Sequence, residues 1–132
     1  MNKPTKSAFS FAAISLASLS VAAGSAFAHH SFAQYDAGRS VTIEGTIVEY
    51  NWVSPHSWIV LAVQDESGES VEWTLELESV GNIYRRGWRP DTIKPGDHAS
   101  FDIAPMRNGM PGGGVRTGTL DDGTTLFSRN LD

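Results

Sequence analysis

The chain has no cysteine. That one absence excludes disulfides, thiolate metal sites, a thiol nucleophile and a lipidated N-terminal cysteine. Basic residues are also few: 10 Lys and Arg stand against 15 Asp and Glu, and Lys3 and Lys6 lie in the first stretch of the chain. From residue 29 onward, 8 basic side chains face 15 acidic ones, a formal net charge of −7. Nucleic-acid affinity rests largely on neutralising phosphates, so an acidic chain of this kind is not expected to bind nucleic acid. No run beyond Ala28 is apolar enough to span a bilayer. Catalytic signatures are missing too. There is no Gly-x-Ser-x-Gly, no His-Glu-x-x-His, no dinucleotide or P-loop glycine pattern and no carboxylate pair at a telling spacing. Ser, His and Asp all occur, but nothing orders them into a triad. No catalytic residue is assigned.

What is present begins with a leader. Lys3 and Lys6 precede an apolar run from Ala8 to Ala23, diluted by Ser10, Ser15, Ser18 and Ser20, and Ala26 and Ala28 are the small residues that signal peptidase requires. A membrane anchor fits less well, because it needs about 20 strongly apolar residues. Residues 1–28 are therefore expected to be a signal peptide cut after Ala28, and a small exported domain without disulfides suits a bacterial periplasm. The expected organisation is an N-terminal arm at 29–40, one small domain at 41–127 and a frayed C-terminal tail at 128–132.

The arm, HHSFAQYD, has no clear period, with Phe32 and Tyr35 as its anchors. Val41 to Trp52 is rich in β-formers, with Val41, Ile43 and Ile47 on one parity, and Gly45 marks a bulge or bend. Ser57 to Gln64 is apolar on both parities. After the Asp65–Glu69 turn, Val71, Trp73, Leu75 and Leu77 alternate with Glu72, Thr74, Glu76 and Glu78, which predicts a half-buried strand with an acidic outer face. Ser79 reads as an N-cap, Val80 to Arg86 as a short helix and Gly87 as its stop. His98 to Ala104 and Val115 to Leu120 are two more strands. Asn108 to Gly114 reads as a mobile Gly/Pro loop, and Thr124 to Phe127 as a last strand. Three strands, a helix and two or three strands predict an all-β fold with one short helix: a small OB-like antiparallel barrel of five to six strands. A small open β-sandwich is the alternative.

Several stretches in this order are jointly distinctive. They are His29-His30-Ser31-Phe32, Gly45-Thr46 and Val48 with Asn51-Trp52, Pro55-His56, Trp73 with Glu76-Leu77, Tyr84-Arg85-Arg86-Gly87-Trp88, Lys94-Pro95-Gly96-Asp97, and a closing Asp122-Gly123 with Leu126-Phe127. The chain resembles a family of short secreted, mostly proteobacterial proteins classed as a domain of unknown function. In that family Asn-Pro-His is usual where this chain has Ser54-Pro55-His56. The resemblance implies export and a small β-barrel, and no established activity.

Cleavage after Ala28 would make His29 the first residue, with a free amine beside its own imidazole. Amine and imidazole nitrogens suit Cu, Ni and Zn, and Cu(II) binds most tightly in the divalent series. His29 and His30 are therefore candidate metal ligands, with His56 the candidate third, since Pro55 stiffens its approach. Solvated histidines on a floating arm are the plainer alternative. Met106 and Met110 are weaker candidates for soft thioether ligation, and His98 reads as a surface residue. Glu76, Arg85 and Arg86 form a candidate ligand-binding set for a carboxylate or phosphate, against the alternative that the arginines simply pair with the acidic strand face. The expected function is a periplasmic β-barrel binding module for a transition metal, copper first, held by the mature N-terminal histidine. The alternative is a non-metal module that meets a periplasmic protein or small anion through Tyr50, Trp52 and Trp58 or through the Arg85-Arg86 patch.

Overall fold

The computed structural model describes residues 32–130. Short runs of alternating or wholly apolar residues, punctuated by Gly, Pro and Asp turns, fold there into six strands and one short helix. In chain order these are β1 (Val41–Asn51), β2 (Trp58–Gln64), β3 (Ser70–Glu76), α1 (Val80–Arg85), β4 (His98–Pro105), β5 (Gly112–Leu120) and β6 (Thr125–Phe127). No helix among the described residues is long and apolar enough to cross a membrane.

Strand β1 is shared between two neighbours. Its first half pairs antiparallel with β4, from Val41↔Ile103 to Thr46↔His98, and its second half with β2, from Thr46↔Ala62 to Asn51↔Trp58. β2 and β3 form a hairpin from Trp58↔Glu76 to Gln64↔Ser70, and β4 pairs antiparallel with β5. A parallel pairing of β3 with β5, from Thr74↔Gly112 to Glu76↔Gly114, closes the ring. The result is a closed five-stranded barrel with β6 added on β5, in the strand and helix order of the OB type. The barrel expectation holds, and closure removes the open-sandwich alternative. The departure is the one parallel pairing in an otherwise antiparallel sheet.

That pairing and the antiparallel one with β4 explain why the glycines at 112–114 are not the mobile loop that their composition suggests. They are buried residues of β5. A Cβ on Gly113 would lie 2.6 Å from the Ala104 carbonyl oxygen and 2.8 Å from Ile103 Cδ1, so the backbones approach closely only because there is no side chain between them. Gly45 plays the same part against the Ala62 carbonyl, while the actual register irregularity of β1 falls slightly later, between Ile47 and Glu49.

Inward parities fill the barrel with Ile43, Ile47, Ile59, Leu61, Leu75, Phe101, Ile103 and Val115. Helix α1 adds Ile83, and the chain leaves it through Gly87, whose φ of 100° is the left-handed conformation that ends helices. Trp88 follows directly into the core with no exposed surface, and its indole N–H donates to the Phe127 carbonyl at 3.0 Å. Ser79 occupies the N-cap position but makes no side-chain cap hydrogen bond; its carbonyl accepts from Asn82 and Ile83 instead. The expected frayed tail is corrected at its start. Ser128 is fully buried and Arg129 is 3% exposed, because both fold back over the outside of the barrel.

Gly113→Ala should therefore cost at least about 2 kcal/mol, as overpacking against backbone does. Gly38→Ala, whose Cβ would meet only Asp36 Oδ1 at 3.6 Å, should stay within about 0.5 kcal/mol of the parent. Urea midpoints of the two variants measure the difference.

Candidate functional site

Glu76 ends β3 on the parity opposite Trp73 and Leu75, as the sequence pattern indicates, yet it has no exposed surface. The expected acidic outer face is corrected at this residue. The alternation is intact, but two segments from outside the barrel cover the outer face here. One is the N-terminal arm. It runs beside the end of β4, with Asp36 N–H donating to the Pro105 carbonyl at 2.8 Å and Arg107 N–H donating to the Gln34 carbonyl at 2.9 Å. The arm packs Phe32 and Tyr35 with Ala104 and Met106 into a small second core. The other segment is the C-terminal Ser128 and Arg129.

Burying a carboxylate alone is prohibitive, so the surrounding groups have to answer it. The Tyr35 hydroxyl donates to Glu76 Oε2. His56 Nδ1 lies 2.5 Å from Glu76 Oε1, and an Arg129 Nη2 lies 4.0 Å from the same oxygen. Arg129 is held in turn by the Leu77 carbonyl at 3.0 Å and by Glu78 Oε1 at 3.6 Å from its Nε. Its guanidinium sits 3.7 Å over the Phe32 ring, a cation–π contact, and Phe32 packs tilted against the His56 imidazole with centroids 5.4 Å apart. One carboxylate thus ties together the arm, the start of β2, the end of β3 and the tail.

The electrostatics follow from the burial. Desolvation pushes the Tyr35 phenol well above its ordinary value, and the hydrogen bond to Glu76 and that carboxylate's charge push it further. Burial also pulls the Arg129 guanidinium below its ordinary value, opposed by the charges of Glu76 and Glu78. A carboxylate accepts but does not donate, so the contact with Glu76 puts a hydrogen on His56 Nδ1, and Nε2 is the ring nitrogen that Glu76 does not engage. The His56 side chain is 21% exposed.

Of the residues singled out from sequence, the structure brings His56 and Glu76 together. His29 and His30 lie outside the described residues. Arg85 donates to Asn82 Oδ1 at 2.6 Å. Arg86 donates to the Ser128 carbonyl, lies 4.0 Å from Glu78 and covers the Phe127 ring at 4.9 Å. The arginine placed beside Glu76 is Arg129. No sequence signal pointed to it, because even the Leu77 carbonyl that holds it is 52 residues away. Tyr35 and Phe32 were legible as arm anchors, though not as parts of a polar site. His98 is half exposed and 3.4 Å from Asp121, Met106 packs beside Tyr35, and Met110 is exposed. Tyr50 and Trp52 meet edge to face at 6.0 Å and pack on the core. Among the described residues, no three His, Asp or Glu side chains converge into a metal site.

A family model described as a family of unknown function, DUF6152, matches residues 15–116. The chain belongs to that family. The matched span contains Tyr35, His56 and Glu76 and ends before Arg129. Comparison with curated proteins and with solved structures gives no match.

Arg129→Met would leave Glu76 buried without its cation and should cost about 3 kcal/mol or more. Arg85→Met should stay within about 0.5 kcal/mol. Chemical denaturation of the two variants distinguishes them. The raised Tyr35 pKa also sets an alkaline limb. Its contribution to stability is intact below the unfolded-state value of about 10 and is lost as pH rises toward the higher folded value. Unfolding free energies measured from neutral to strongly alkaline pH should therefore fall less steeply in Tyr35→Phe than in the parent. A residual slope should remain from Tyr50, which burial also raises.

Proposed function

We propose that the protein is exported to the periplasm and there binds a single transition-metal ion, copper foremost, through the amine and imidazole of His29 as the mature N-terminus, with His56 of the barrel as partner ligand and His30 adjacent. The observation that carries this reading is the docking of the arm on His56. Phe32, three residues after His29, packs tilted against the His56 ring. The arm's approach to the barrel is thus set within about 10 Å of chain from the N-terminal amine, at ~3.3 Å per extended residue.

The environment of His56 supports the same reading. Histidines that ligate metals usually give their second ring N–H to a carboxylate, which fixes the tautomer and orients the ring. Glu76 stands in that relation to Nδ1, and Nε2 is then the ligating atom. An N-terminal amine has an ordinary pKa of about 7.7–8.0, so copper displaces its proton near neutrality. Imidazole and amine nitrogens favour Cu(II) over the other common divalent ions.

Titration of Cu(II) into protein beginning at His29 should show one-to-one binding and a rise in thermal midpoint. A variant with one Ala before His29 loses the amine–imidazole chelate, and His56→Ala loses the barrel ligand. Each should weaken binding at least about tenfold, which corresponds to one lost ligand worth roughly 1.4 kcal/mol. Equal, weak binding by all three proteins overturns the proposal and leaves His56–Glu76 as a clamp that holds the arm.

A further inference from the structure

The β2–β3 hairpin is longer than the barrel that contains it. Pairing of β1 with β2 stops at Ala62, and pairing of β5 with β3 starts at Thr74. Val63 on β2, with Val71 and Trp73 on β3, therefore projects past both neighbouring strands while keeping the inward parity of Leu61 and Leu75. Leu61 and Leu75 are fully buried, whereas Val63, Val71 and Trp73 are only half buried. Across from them, the segment just before β5 supplies Gly109 and Pro111 as an opposite lip. Between the two lies an apolar cavity of ≈ 400 Å³ at the mouth of the barrel. That volume is within the roughly 300–1,000 Å³ range of small-molecule sites, which barrel mouths commonly provide.

The rim has one sign of charge. Asp65 and Glu66 line the cavity, and Glu69 and Glu72 are exposed on the same hairpin. No Lys, Arg or His occurs between Ser57 and Tyr84. The Asp65 carboxylate is held in place by Ser67 N–H at 2.8 Å, the Ser67 hydroxyl at 2.6 Å and Glu69 N–H at 2.9 Å. An apolar floor that includes an indole, beneath a fixed carboxylate rim, matches a ligand with a compact hydrophobic body and a positive head. The body leaves water against Val63, Val71 and Trp73, and the head meets the acidic rim and the indole face.

We infer that the barrel mouth formed by Val63, Val71, Trp73 and Pro111 binds a small organic cation, an amine with an aromatic or branched aliphatic body, with Glu66 on the rim selecting its charge. This site is independent of the metal reading, since it lies at the hairpin end of the β2–β3 ladder and His56 and Glu76 lie at the other.

The test uses three ligands of like shape and different charge: phenethylamine, phenethyl alcohol and phenylacetate. Each is titrated into metal-free protein while the indole N–H resonances and tryptophan fluorescence are followed. Affinity should fall in the order amine, alcohol, acid, with saturable changes at Trp73. Glu66→Gln should reduce the preference for amine over alcohol by up to about fivefold, as loss of one exposed ion pair does. Val71→Trp, which fills the cavity at a half-exposed position, should abolish binding while the thermal midpoint stays close to the parent's. Absence of saturable change at Trp73 with the amine overturns the inference. So does an amine affinity no greater than that of the alcohol, or undiminished binding by folded Val71→Trp.

Discussion

A carboxylate with no exposed surface must be answered from within the protein, and in this fold Glu76 draws its answers from segments far apart in the chain. Tyr35 reaches it from 41 residues upstream, His56 from the approach to β2, and Arg129 from beyond the last strand. None of these segments belongs to the barrel wall. They lie against it because leaving the carboxylate unanswered would cost several kcal/mol. The cation–π stack of Arg129 on Phe32 and the packing of Phe32 on His56 then couple the two ends of the described chain to each other. The arm is thereby a structural element with a defined landing point, Phe32 on His56 and Tyr35 on Glu76.

The barrel makes this possible through its one parallel pairing. β5 lies beside the end of β3 in the register Thr74↔Gly112 to Glu76↔Gly114, where a Cβ on Gly112 would lie 2.9 Å from the Thr74 carbonyl oxygen. The same closure leaves the two ends of β3 in different states. At Glu76 the wall is covered from outside by arm and tail. At Val71 it runs past its neighbours and stays open. A single strand therefore carries a buried polar cluster at one end and an unfilled apolar mouth at the other, about 17 Å apart at ~3.3 Å per residue.

Much of the wall was legible in the chain. The alternation from Val71 to Leu77, the parity of Val41, Ile43 and Ile47, and the Gly87 stop of the helix each report a local rule, and each recurs in the structure. The failures share one cause. Gly112 to Gly114 look like a loop because glycine composition speaks only of local freedom, whereas their use as a strand depends on the carbonyls of Ala104, across the β4–β5 connection, and of Thr74, on β3, pressing close. Glu76 looks like a surface residue because parity tells which way a side chain points and not what covers it. Arg129 looks like part of a tail because nothing within several residues of it has a reason to be ordered.

The amino-acid pattern by itself determined the all-β class, the order of elements, the inward residues of β1 and β3 and the candidacy of His56. Those properties follow from periodicity and turn chemistry, which act over a few residues. Only the tertiary structure decided that His56 and Glu76 are partners, that Arg129 rather than Arg85 or Arg86 is placed beside that carboxylate, and that the hairpin leaves a cavity open. These depend on which segments meet after the ring closes. Burial, unlike parity, is a property of the whole surface of contact and is not encoded at any one position.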